Sequence, residues 1–179
     1  MSLETWLPAL IVLSSLLPGI IIFMLREDNH RLRTSLNLFG AFVKLLLVGI
    51  MIWGVFHERV FETRWTLAPG LDLVLHADEL SVLFVTLSTL LWLVTTVYAI
   101  GYLENAPHRS RFFGFFSLCV TATVGLALAG NLFTFLLFYE LLTLSTYPLV
   151  VHRGTRESLR AGQIYLYYTL GGGALLLFG

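Results

Sequence analysis

The chain has 179 residues, 57% of them hydrophobic and 12% charged, with a mean hydropathy of +0.83. That composition excludes a soluble globular class and places the protein in a membrane. Eleven basic residues balance eleven acidic ones, so no charge excess points to nucleic acid or to an acidic or basic partner. The single cysteine, Cys119, excludes a disulfide framework and a cysteine metal site.

Six segments are long and apolar enough to cross about 30 Å of hydrocarbon as helices. The first, 5–25, carries Glu4 where a signal peptide has a basic region, and Arg26, Arg31 and Arg33 follow it. It reads as a retained span. The second, 36–56, holds Lys44 about nine residues in. With Arg33 just before the span, the lysine stem is expected to snorkel to that interface or to pack between subunits. A role in ion transfer is the alternative, and pairing with Glu140 stays open. The loop 57–79 alternates partly over Leu71-Asp72-Leu73-Val74-Leu75-His76 after Pro69-Gly70, which fits a short external β-hairpin. The third and fourth spans are 80–103 and 112–130. A tight Gly130-Asn131 turn makes the fourth and fifth (132–151) antiparallel neighbours. The sixth is 161–179, and its Gly171-Gly172-Gly173 run points to close helix packing, not a phosphate loop, because no Lys-Ser/Thr follows. Backbone groups in lipid must bond within their own segment, and runs such as 132–138 do not alternate as barrel strands would. The expected fold is therefore an all-α single transmembrane domain over 1–179.

Loop charges set the orientation. Arg26, Arg31, Arg33, Arg109, Arg111, Arg153, Arg156 and Arg160 fall on one side, and only Arg59 and Arg64 on the other. By the positive-inside rule the first group faces the cytoplasm and the N-terminus faces out. Trp6, Trp53, Trp65, Tyr98 and Tyr102 sit near the expected interfaces, as an aromatic belt does. A bacterial inner membrane is the expected location.

Across the six spans only Lys44 and Glu140 carry a formal charge. A carboxylate at bilayer depth costs at least about 2–3 kcal/mol, so it needs a partner, a proton or a wet cavity. Thr143 and Tyr147 fall on the same helical stripe, which is expected to face a bundle interior. Desolvation favours the protonated acid and a nearby cation the ionised one, so a group caught between them exchanges a proton as its partner moves. Pro148, eight residues on, removes a backbone donor near the end of that helix. Glu140 is therefore the candidate catalytic residue for translocation. A statically paired or protonated glutamate is the plainer alternative.

Little else carries chemistry. His30, His57, His76, His108 and His152 fall in loops or at span ends without metal-ligand spacing, so no metal is expected. Ser145 and Thr146 are placed to bond back to the preceding helical turn. No hydrolytic triad, haem site, cluster or other cofactor is expected.

Three stretches resemble the antiporter-like membrane subunits shared by Mrp-type cation/proton antiporters and respiratory complex I. They are His76-Ala77-Asp78-Glu79-Leu80-Ser81-Val82-Leu83-Phe84, the span from Asn131-Leu132-Phe133 through Phe138-Tyr139-Glu140-Leu141-Leu142-Thr143 to Pro148-Leu149-Val150, and Arg160-Ala161-Gly162-Gln163-Ile164-Tyr165-Leu166. The wording is most similar to the D-type subunit of Mrp antiporters. The resemblance implies the N-terminal third of a fold of about fourteen helices built on inverted repeats. It also implies that Glu140 is the family's central glutamate, while the family's partner lysines lie on later helices and Lys44 does not match them. The implied function is proton/cation translocation within a multi-subunit antiporter, with protons, Na+ or K+ as the ions and lipid and sister subunits as partners. The first alternative is a proton-pumping subunit of a complex I-like NADH:quinone oxidoreductase. The second is a non-transporting fragment, suggested by apolar sequence that runs up to Gly179.

Overall fold

A chain with no water to satisfy its backbone in hydrocarbon coils into helices wherever its apolar runs are long enough. The structure, a computed structural model describing residues 3–103 and 108–178, contains six such helices and one hairpin. They are α1 (Leu3–Met24), α2 (His30–Val55), β1 (Phe61–Ala68), β2 (Leu71–Ala77), α3 (Glu79–Tyr102), α4 (Arg109–Ala127), α5 (Leu132–Val150) and α6 (Arg156–Phe178).

Three helices start earlier than hydropathy indicates: α2 at His30 instead of 36, α4 at Arg109 instead of 112, and α6 at Arg156 instead of 161. Nothing in His30-Arg31-Leu32-Arg33 or its counterparts breaks a helix, so each coils past the apolar boundary into its basic flank. The other expected boundaries shift by one or two residues, except the ends of the fourth span and, as Gly179 lies outside the described residues, of the sixth. Five helices, α1 to α5, are long and apolar enough to cross a membrane. The sixth is as long but is diluted by Gln163, three tyrosines and its glycines.

The helix α4 is central, packing against α1, α3 and α5; α2 packs on α1 and α3, and α6 on α5. Lipid tails compete with apolar side chains, so close approach of small residues does much of the joining. Gly114 lies under the Phe23 ring and Gly125 under Phe138, where a β-carbon would overlap each ring. Around these contacts Leu7, Ile11, Met51, Phe61, Leu75, Val85, Val124, Leu128 and Phe138 form the main core.

The hairpin closes one end. Its strands pair antiparallel from Phe61 opposite Ala77 to Ala68 opposite Leu71. The turn needs Gly70, whose φ of +82° disfavours a side chain. Strand β2 then bonds the α4–α5 connection: His76 N–H donates to Leu128 O at 2.7 Å and Gly130 N–H to Val74 O at 2.8 Å. Val74 N–H donates to Thr134 Oγ1 at 2.8 Å, and Asn131 Nδ2 to Asp72 O at 2.7 Å. Two helices begin at side-chain caps here. Asp78 Oδ1 accepts from Ser81 N–H at 2.7 Å for α3, and Asn131 Oδ1 from Thr134 N–H at 2.8 Å for α5.

The opposite end is basic. Arg33 is buried and donates to Ser110 Oγ at 2.8 Å and to the Glu27 carbonyl at 3.4 Å, tying α2 to α4. The His152 ring meets Phe112 edge-on at 5.7 Å. Burial holds the His152 imidazole below the ordinary histidine range, and the neighbouring Arg111 and His108 act in the same direction.

Candidate functional site

Glu140 is the ninth of the nineteen residues of α5, next to its midpoint. Two positions earlier, Phe138 packs on Gly125 of α4. Two residues along an α-helix turn about 200°, so Glu140 points away from α4 and toward α6. There Gly173 receives it: the carboxylate Oε1 occupies the space a β-carbon at 173 would take. The neighbouring Tyr139 braces the contact, donating from its hydroxyl to Thr169 O at 3.2 Å and lying 3.0 Å from the same β-carbon position. Glu140 is half-buried and has no hydrogen-bond or ion-pair partner among the described residues.

The rest of the stripe divides. Thr143 is buried, and Tyr147 packs over Gly162 of α6. Leu137 and Leu144, on the flanks, are 43% and 58% exposed. The stripe is thus covered by α6 along its centre and open beside it. Ser145 and Thr146 hydroxyls donate to the carbonyls of Leu141 and Leu142, each at 2.7 Å, as residues of that type do when buried in a helix. They also meet Cys119 of α4, Sγ lying 3.5 Å from each oxygen. Pro148 sits in the last turn of α5, so its missing donor leaves the Leu144 carbonyl without a helical partner four residues below the carboxylate.

Lys44 does not snorkel. It is fully buried, donates to Ser15 Oγ of α1 at 2.6 Å, and lies 5.1 Å from the centre of the Trp92 ring of α3. The interior of the α1–α4 bundle is close enough to capture the stem before it reaches an interface. Nor does it pair with Glu140. Its ammonium bonds Ser15 of α1, whereas the Glu140 carboxylate lies on Gly173 of α6, and no ion pair joins the two among the described residues. The histidines scatter: His57 stacks on Trp53 with ring centres 4.3 Å apart, and His76 lies 3.5 Å from Glu62 across the hairpin.

Sequence reasoning overlooked three things: the caps, the seat of Glu140 on Gly173, and the polar chain around Lys44. The caps had a signal, an Asp or Asn three residues before Ser81 or Thr134. The other two depend on which helices meet, and no local pattern states that.

A hairpin-capped helical bundle with one central, unpaired carboxylate on its fifth helix defines a multi-pass membrane protein. Two family models match its sequence: the N-terminus of chain 5 of NADH-ubiquinone oxidoreductase (complex I), over 66–113, and the transmembrane region of NADH:quinone oxidoreductases and Mrp antiporters, over 129–179. Over these residues the chain is similar to the antiporter-like membrane subunits. It is 30% identical over 186 residues to the D-type subunit of a probable K(+)/H(+) antiporter of Rhizobium meliloti (strain 1021). It is 27% identical over 176 residues to the D-type subunit of the Na(+)/H(+) antiporter of Bacillus subtilis (strain 168). Each alignment covers 97% of this chain and 34% of the relative. Among solved structures, one chain of the Mrp complex from Dietzia sp. DQ12-45-1b matches 99% of this chain with a TM-score of 0.81 at 22% identity, over 34% of its own length. The chain therefore spans about a third of the length of the relatives it matches.

Proposed function

We propose that the chain is the N-terminal part of a proton/cation-translocating subunit of an Mrp-type monovalent cation/proton antiporter, with Glu140 as the residue that takes and gives the proton. The observation that carries this reading is the seat of Glu140: mid-helix, unpaired, and facing a glycine run instead of lipid. A carboxylate placed there exchanges protons when a cationic group approaches and withdraws, because the approach stabilises the ionised form and the withdrawal favours the protonated one. The cationic group belongs to helices on the open flank of α5, beside Leu137 and Leu144. Na+ or K+ is the exchanged ion, as in the names of the two relatives, and the other antiporter subunits are the partners. The charge distribution supports a basic end in the cytoplasm of a bacterial cell, with the N-terminus and hairpin outside.

The test is Glu140→Gln in the assembled complex, with cation-dependent proton flux measured in inverted vesicles. The expected result is loss of flux by about a hundredfold or more with the complex intact; undiminished flux would falsify the role of Glu140. The match to complex I chain 5 supports a second reading, a proton-pumping subunit of a quinone oxidoreductase. Co-purification separates the two: small antiporter subunits favour the first, cluster-bearing subunits the second.

A further inference from the structure

Lys44 is the only lysine in the sequence; the ten other basic residues are arginines. Arginine is effectively never deprotonated in proteins, whereas lysine can lose its proton when buried. Histidines aside, the one basic residue able to lose its proton is therefore fully buried, with none of its surface exposed. The helices packed around it bear charge only at their ends: Glu4 on α1, Glu79 on α3, Arg109 and Arg111 on α4, and Arg31 and Arg33 on its own helix. No carboxylate faces it to hold it permanently ionised.

Its immediate partners suit both charge states. Ser15 Oγ accepts from Lys44 Nζ and lies 2.8 Å from Thr121 Oγ1 and 3.3 Å from Val12 O. A hydroxyl is both donor and acceptor, so Ser15 accepts from an ammonium and, after a rotation, donates to an amine. The Trp92 face stabilises the cation and costs the amine nothing.

From Lys44 a buried polar seam leads to the basic end. Along α2, Lys44, Asn37 and Arg33 share one face. Ser117 Oγ of α4 donates to Asn37 Oδ1 at 3.2 Å, and Thr121 Oγ1 donates to Ser117 O at 2.8 Å. Trp92 of α3 touches the level of Gly40, where a β-carbon would lie 3.3 Å from its ring. The two helices are antiparallel, so Thr96 and Asn37, each one turn nearer the basic end, fall at one level. Over these two turns Asn37 Nδ2, Trp92 Nε1 and Thr96 Oγ1 are all buried without a hydrogen-bond partner among the described residues. Three orphaned polar atoms on adjoining helix faces are costly unless water satisfies them.

We propose that Lys44 is a second proton-exchanging site, distinct from Glu140, served by internal water held by Asn37, Trp92 and Thr96 and opening toward Arg33. The step is a simple transfer. An N–H bond of the ammonium breaks, an O–H bond forms on the adjacent water, and the proton leaves toward the basic end while Ser15 donates to the amine that remains. The return reverses each bond. This rests on the proton-transport reading above.

Three variants of the full membrane complex test it in vesicles: Lys44→Met, Lys44→Arg and, as a reference, Glu140→Gln. Methionine removes a buried charge, a change that buried sites tolerate when the replacement fits. Arginine keeps the charge but cannot release the proton. Both Lys44 variants are expected to lose about tenfold or more of the proton flux, and wild-type flux in either overturns the site. In parallel, the complex is labelled with 15Nζ-lysine, and the Lys44 resonance is identified by its loss in Lys44→Met. It is expected to show the amine form; an ammonium signal at every pH at which the complex stays folded overturns the proposal whatever the fluxes. A wild-type complex without flux removes the transport reading, and the resonance still decides Lys44.

Discussion

At the residue scale, the carboxylate of Glu140 and the missing side chain of Gly173 are one feature. The oxygen fills the volume that any other residue at 173 would claim. Gly173→Ala should therefore displace the carboxylate or push α6 away, costing about 1–3 kcal/mol as overpacking does. Proton flux should fall although Glu140 itself is untouched. Gly171 has nothing within 4 Å of its β-carbon position, so Gly171→Ala should be neutral or stabilising by up to about 1 kcal/mol. Thermal melting of the detergent-solubilised complex and vesicle flux, measured on both variants, check the contrast. Equal effects would mean the run acts through flexibility and not through the seat.

At the element scale, two caps decide where α3 and α5 begin, and hence the depth at which their side chains lie. Asp78 accepts two bonds from Ser81, one from its N–H and one from its hydroxyl at 2.6 Å. These hold the Asp78 carboxyl below the usual carboxylate range. A depressed folded pKa gives stability that is present above the unfolded value, about 3.9, and is lost as pH falls through the folded value. Asp78→Ala should thus cost about 1 kcal/mol at neutral pH, and the difference from wild type should shrink only below about pH 4. Melting curves across pH show this directly. Asn131 caps α5 and also holds the hairpin through Asp72 O, so Asn131→Ala should cost more than Asp78→Ala in the same measurement.

At the scale of the whole molecule, the hairpin and the arginine cluster mark opposite ends of one bundle. Strand β2 is bonded to the α4–α5 turn, and Arg33 ties α2 to α4 at the other end. If the basic end is cytoplasmic, a cysteine at exposed Thr66 in a Cys119→Ser background should react with a membrane-impermeant maleimide on intact cells. A cysteine at exposed Arg111 should react only after permeabilisation. The reverse pattern would invert the orientation and place the opening of the Lys44 seam outside.

Much of the fold was legible because lipid allows few answers. Apolar runs of about twenty residues become helices, the Pro69-Gly70 turn folds a hairpin, and one acid in an apolar span announces a function. The helix starts were misjudged at His30, Arg109 and Arg156, since hydropathy marks where hydrocarbon ends and not where coiling does. Lys44 was misplaced for a related reason: snorkelling is a property of an isolated helix, and in the bundle Ser15 and Trp92 lie within reach while the interface does not. Composition and periodicity, which are local, determined the membrane class and the helical runs and singled out Glu140 as the candidate. Only the packing of the helices decided that Lys44 and Glu140 find different partners, that Gly173 seats the acid, and that the orphaned Asn37 and Thr96 share one level, because each is a relation between helices distant in the chain.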